Sequence, residues 1–155
     1  MAAVAARVEN DVERVLASSR RGQSGGGGIV KLLIAHGDAG SRCAIREVAA
    51  DLTGPGLESV EAREGAQTIA MLLAPGAPDV AVVDWDLPGC SGPELCRRVR
   101  ASRGSRAPYI IVLNGSGHPA GEALEAGADD CVATTAPGHE LLARIAAARR
   151  FTTPA

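Results

Sequence analysis

Aromatic side chains are nearly absent from this 155-residue chain, which has one Trp, one Tyr and one Phe. Its core must be aliphatic and built from small residues. Ala and Val supply much of an apolar content of 46%, enough to fill one core and no more. No apolar run approaches the length needed to cross a bilayer. The N-terminus carries Arg7, Glu9, Asp11, Glu13 and Arg14, which excludes the apolar segment of a signal peptide and makes the cytoplasm the expected location. The formal net charge is −2, so no overall field draws in nucleic acid. None of the four cysteines (Cys43, Cys90, Cys96, Cys131) forms a C-x-x-C pair or a zinc-finger spacing, and reduced packing thiols are expected. Cys90, in the loop after the candidate site, is the one placed for a redox role. There is no G-x-x-x-x-G-K and no G-x-G-x-x-G after a strand. The three histidines have no Ser or Cys partner in a triad pattern, and His118 and His139 read as surface residues.

What is present centres on Pro78-Asp-Val-Ala-Val-Val-Asp84-Trp-Asp86-Leu-Pro-Gly89. Val80 to Val83 is a short, unbroken apolar run of the kind buried on both faces of a sheet. It ends in Asp84. Asp86 follows, and Leu87-Pro88-Gly89 forces a turn. Ser91-Gly-Pro-Glu94 opens a helix with Leu95, Cys96 and Val99 on its inner face. From these residues alone, Asp84 reads equally as a strand-end cap or as a site carboxylate, since ligands collect at the carboxyl ends of strands in open α/β sheets.

Elements alternate along the chain. Residues 1–21 read as a helix with an apolar stripe of Val4, Val8, Val12, Val15 and Leu16, and Gly22 to Gly28 as a flexible linker. Two heptads leave a coiled-coil dimer open without requiring it. Strands are expected at Ile29 to Ala35, Leu57 to Ala62 (an edge strand), Val80 to Asp84, Tyr109 to Leu113 and Cys131 to Ala133. Helices are expected from Ser41, as N-cap, to Leu52, from Gly65 to Ala74, from Ser91 onward, from Pro119 to Ala126, and from Pro137 to Arg150, with 151–155 a disordered tail. The pattern is α/β, with a parallel sheet covered on both faces.

The run from Asp84 through Leu87-Pro-Gly89 to Gly92, with Leu124-Glu-Ala-Gly-Ala-Asp-Asp130 before the last strand, resembles the receiver domain of two-component response regulators from Ile29 to about Arg150. The resemblance implies a flavodoxin-like (βα)5 fold with strand order 2-1-3-4-5. It implies that Asp84 is the acceptor of a phosphoryl group from a histidine kinase, with Mg2+ as cofactor. In that family an acidic pair follows strand one, a Thr or Ser follows strand four, and a Lys-Pro follows strand five. Here His36 and Gly37 stand at the acidic pair, Asn114 at the switch hydroxyl with Ser116 nearby, Cys131 at the aromatic position, and Thr134-Thr135 at the Lys-Pro. Metal ligands would be Asp84, the Asp86 backbone carbonyl and, by a local slip, Asp38. Imidazole is a poor magnesium ligand, and a lost lysine removes product stabilisation.

The departures fall on the site while the core pattern survives. The expectation is therefore an atypical receiver, not an enzyme, that signals by protein–protein contact with weak or no Mg2+-dependent phosphorylation of Asp84. Its partner would be a histidine kinase or another signalling protein, or a second copy. The expected contact face holds Ala123, Val132, Leu141, Arg144 and Arg149. No nucleic-acid or membrane partner is expected of this domain. One alternative is an ordinary phosphoacceptor using Asp84 with Asp38 on the metal. Another is an FMN- or nucleotide-binding protein using the Gly37 to Ser41 loop at a helix N-terminus. No output segment is read after the receiver region, which leaves a stand-alone domain or a piece of a longer chain equally open.

Overall fold

The computed structural model describes residues 29–53, 57–103, 108–115, 117–136 and 138–152. Strands and helices alternate: β1 (Val30–Ala35), α1 (Ala39–Thr53), β2 (Leu57–Ala62), α2 (Gly65–Leu73), β3 (Val80–Asp84), α3 (Gly92–Arg103), β4 (Tyr109–Asn114), α4 (Ala120–Ala126), β5 (Asp130–Ala133) and α5 (Gly138–Thr152). Every strand pairing is parallel, in the order β2-β1-β3-β4-β5. The doubly wound sheet expected from the sequence is the one observed. The helix and linker expected over residues 1–28 lie outside the described residues.

The sheet divides the core in two, and strand alternation decides which side chain goes where. Leu33, Ala35, Ala81, Val83, Ile110 and Val112 face one side, where Leu72, Leu95, Cys96, Val99, Ala123 and Ala126 close over them from α2, α3 and α4. Leu32, Ile34, Val80, Val82, Ile111 and Leu113 face the other, against Ile45, Ala49, Leu142, Ile145 and Ala148 of α1 and α5. The central strand β3 is sealed on both faces, as its unbroken apolar run requires. The inner stripe read for α3, Leu95, Cys96 and Val99, is buried.

Three expectations are corrected. Helix α1 begins at Ala39, and its N-cap is Asp38 rather than Ser41. Asp38 Oδ2 accepts from the Ser41 N–H at 2.8 Å and from Ser41 Oγ at 2.7 Å. Ser41 thus sits at the third helical position, where its own N–H is one of those that a cap residue satisfies. Helix α5 runs through Phe151 and Thr152, the first residues of the expected tail, because the Phe151 ring stacks on Tyr109 with centroids 5.7 Å apart. The expected contact face loses Ala123 and Val132, which are buried in the two halves of the core. Leu141 is half-buried against the second half, while Arg144 is exposed and pairs with Asp130 at 3.5 Å.

Candidate functional site

Three strand ends meet where the chemistry was expected. Ala35 is paired with Val83, and Asp84 with Leu113, so the residues leaving β1, β3 and β4 emerge side by side at the carboxyl edge of the sheet. Those residues are His36, Asp84 and Asn114. The Trp85 N–H donates to the Leu113 carbonyl at 2.9 Å, and the Gly92 N–H donates back to the Trp85 carbonyl at 2.8 Å. These two bonds curl the chain over the strand end and start α3. Ser91 Oγ accepts from the Glu94 N–H at 3.3 Å and caps that helix.

Asp84 is the most sheltered carboxylate of the group, with 13% of its side chain exposed. Burial pushes its carboxyl above the usual carboxylate range. His36 pulls it back down, the Asp86 charge adds to the rise, and the N–H groups of Asp86 and Trp85 oppose it. His36 Nε2 stands 3.6 Å from Asp84 Oδ2. The other ring nitrogen, Nδ1, accepts from the Asp38 N–H at 3.0 Å. The His36 backbone is held as well. Its N–H donates to the Ala62 carbonyl at 3.1 Å, and its carbonyl accepts from Arg42 Nη1 at 2.7 Å. Arg42 is a buried arginine whose Nε lies 3.3 Å from Glu61 Oε1.

Gly37, beside it, has no room for a side chain. A β-carbon there would lie 2.9 Å from Pro88 Cγ and 3.0 Å from its Cδ. Pro88 is itself tied down, its carbonyl accepting from the Gly65 N–H at 2.8 Å. Asp38 is exposed, and its Oδ2 is engaged by Ser41. Those bonds, the Ser41 hydroxyl first, hold the carboxyl below its usual range. The same carboxylate occupies the N-terminus of α1, where the loop from Gly37 to Ser41 would otherwise offer its N–H groups to a phosphate.

Both ends of the Asn114 amide are engaged by the His118 backbone. Its Oδ1 accepts from the His118 N–H at 3.1 Å, and its Nδ2 donates to the His118 carbonyl. This amide clamp delivers the His118 ring flat onto Trp85, with centroids 4.5 Å apart and planes 11° from parallel. His118 Nε2 then lies 3.5 Å from Asp86 Oδ1. Thr134 is exposed beyond β5, and its N–H donates to the Asn114 carbonyl at 3.1 Å. A β-carbon on Gly115 would come within 3.2 Å of its hydroxyl. Thr135 is exposed too, and Cys131 is half-buried, its thiol pushed up by burial and by Asp130. Ser116 lies outside the described residues.

Of the residues read from the sequence, His36 and Asp84 therefore meet, Asn114 and Thr134 touch through their backbones, and Asp38 is turned to its own helix. Two contributors were missed. His118 was read as a surface residue but stacks on Trp85 and approaches Asp86. Arg42 falls on the α1 face next to Ile45, yet nothing in the local pattern marked it as buried. His139, also read as surface, is half-buried. Cys90 is buried with its thiol pushed up by burial, the reverse of what a reactive thiolate needs. Burial also pushes the Cys96 thiol up to about 12.

Magnesium takes an oxygen cage, and the two acidic-pair positions, His36 and Gly37, supply no carboxylate to one. Gly37 offers no side-chain oxygen, Asp38 Oδ2 is already bonded twice, and His36 presents nitrogen. Among the described residues no group of three or more His, Cys, Asp or Glu side chains is arranged to hold a metal ion.

The response regulator receiver domain family matches residues 34–146. The chain belongs to that family. This receiver is 37% identical over 113 residues to the phosphate regulon transcriptional regulatory protein PhoB of Pseudomonas aeruginosa, covering 71% of this chain and 49% of that protein. It is 30% identical over 125 residues to response regulator MprA of Mycolicibacterium vanbaalenii, covering 81% and 52%. The receiver thus spans about half the length of the curated relatives it matches. Among solved structures it is similar to a Francisella response regulator receiver domain (TM-score 0.69, 22% identity, 79% of this chain and 98% of that one). It is also similar to a LuxR-family two-component response regulator from Aurantimonas (TM-score 0.68, 26% identity, 81% and 88%). No helix among the described residues is long and apolar enough to cross a membrane.

Proposed function

We propose that this receiver signals by protein–protein contact and that Asp84 supports weak or no Mg2+-dependent phosphorylation. The observation that carries this reading is the filling of the acidic-pair positions. His36 turns a ring nitrogen to Asp84 at 3.6 Å, and Gly37 packs against Pro88 without space for a carboxylate. Two further features support it. Asn114, at the switch position, has both ends of its amide engaged by the His118 backbone. Thr134, at the lysine position, brings no cation. Phosphoryl transfer to a carboxylate leans on charge compensation for most of its rate, so losing both the metal cage and the lysine removes the main source of catalysis. The domain is then a docking module rather than an enzyme, and its partner is a histidine kinase or another signalling protein. The name of the Pseudomonas aeruginosa relative describes a transcriptional regulatory protein, of which this receiver covers 49%.

The test is incubation with acetyl phosphate and Mg2+, followed by intact-mass measurement, with Asp84→Asn and a chelator as controls. The expected result is no more than a trace of Asp84-dependent adduct. A near-stoichiometric adduct, lost in Asp84→Asn and on chelation, overturns the reading in favour of an ordinary phosphoacceptor.

A further inference from the structure

We propose that His36 is the positioning residue of Asp84, an N–H dipole locked in one tautomer at one of the two positions of the family's acidic pair. The inference rests on the reading of Asp84 as a site that magnesium does not run, and deepens it.

The tautomer follows from a backbone bond. An N–H can donate only to a lone pair, and the Asp38 N–H points at His36 Nδ1 at 3.0 Å. In the neutral ring the proton must then sit on Nε2. Nε2 is the atom that faces Asp84 Oδ2, at 3.6 Å. The contact is longer than a formed hydrogen bond and acts as a directed dipole on a sheltered carboxylate. The same assignment removes His36 as a metal ligand, because Nε2 carries a proton and the Nδ1 lone pair is taken. Three hydrogen bonds, two to its backbone and one to its ring, hold His36 in this pose. β2 supplies the Ala62 carbonyl to the His36 N–H, α1 supplies Arg42 to the His36 carbonyl, and the N-cap residue of α1 supplies the N–H to Nδ1. Arg42 is in turn clasped by Glu61 of β2. The pose of His36 is therefore set by groups other than Asp84.

Long-range proton–nitrogen NMR on the full chain reads the tautomer of His36 directly, with no substitution. The Asp84 carboxyl carbon resonance is then compared in wild type, His36→Ala and His36→Gln, with and without Mg2+. A glutamine amide places an N–H where Nε2 was. The expected results are an Nε2–H tautomer, an Asp84 resonance moved by His36→Ala and returned toward wild type by His36→Gln, and no response to Mg2+. An Nδ1–H tautomer, or an Asp84 resonance the same in wild type and His36→Ala, overturns this inference and leaves the proposed function standing. A saturable Mg2+ shift of Asp84 in the wild type overturns both.

Discussion

A β-carbon on Gly37 would stand 2.9 Å from Cγ of Pro88. The proline ring cannot swing aside as a flexible side chain would, and its carbonyl is pinned by Gly65. Restoring the family's carboxylate at this position therefore requires more than one substitution. Gly37→Ala and Gly37→Asp should each destabilise the fold by about 1–3 kcal/mol, the usual scale of overpacking. Pro88→Ala should relieve part of that cost, so that the double variant is less destabilised than the sum of the singles. Urea unfolding of wild type, the three single variants and the double variants checks this; a neutral Gly37→Ala counts against the packing.

Asn114 spends its amide on the His118 backbone, which sets the ring on Trp85. Asn114→Ala removes both bonds and should cost about 1–3 kcal/mol. Asn114→Thr restores the family's hydroxyl but cannot reproduce a two-ended clamp, so it should recover less than half of the loss. Trp85 is the only tryptophan, and its emission reports the stack without a label. Both variants should change that emission at neutral pH, and an unchanged spectrum would mean that the stack does not depend on the clamp.

Behind the site, Asp129 Oδ2 accepts from the Ile110 N–H at 2.8 Å and from Arg100. The Arg100 Nε donates to the Gly127 carbonyl at 2.8 Å. Gly127 ends α4 with φ of 115°, and a β-carbon there would meet Arg100 Cγ at 2.6 Å. This is the physical content of the Gly-Ala-Asp run: a left-handed turn and a carboxylate that tie α4, β4 and α3 together. Gly127→Ala and Asp129→Ala should each cost about 1–3 kcal/mol. Arg100→Ala should soften the Gly127→Ala penalty only in part, since the backbone strain remains. Thermal or urea midpoints decide it.

Asp84 makes stability depend on pH in a defined direction. Burial holds its folded-state pKa above the unfolded value. Between the two values the folded state binds more protons, so stability falls as pH rises through that window, and above it the ionised carboxylate is a standing penalty. Asp84→Asn should be more stable than wild type at neutral pH, with the gain shrinking as pH drops below the ordinary carboxylate range. Asp38 acts in the opposite sense. Its pKa is lowered by Ser41, so its contribution is present above the ordinary value and is lost as pH falls. Midpoints of both Asp→Asn variants across acid and neutral pH separate the two.

Most of the architecture was legible in the chain because each strand is a short apolar run closed by a turn, and because Asp84-Trp-Asp-Leu-Pro-Gly89 marks the end of the central one. The strand order came through the family resemblance and not through periodicity. Local pattern failed where a tertiary partner decided the outcome. Ser41 has the chemistry of a cap, yet Asp38 outcompetes it. Ala123 and Val132 were placed on a contact face, but small residues on α4 and β5 are what let those elements pack closely, and both are buried. His118 carries no signal of its own in sequence. Its place depends on Asn114, a neighbour across a loop, and on a tryptophan from another strand end. Phe151 lies past the last periodic apolar position, and only Tyr109 explains why the helix continues to it.

The proposed function requires that the Asp84 pocket does not work through magnesium. Beryllofluoride, which mimics a phosphoryl group on an aspartate, tests it most directly. Amide NMR spectra would be followed as beryllofluoride is titrated in millimolar Mg2+, for wild type and Asp84→Asn side by side. No saturable shifts are expected in either protein. Saturable shifts around Asp84, Trp85 and Asn114 that vanish in Asp84→Asn would contradict it, and would mean that His36 and Gly37 leave room for a working metal site.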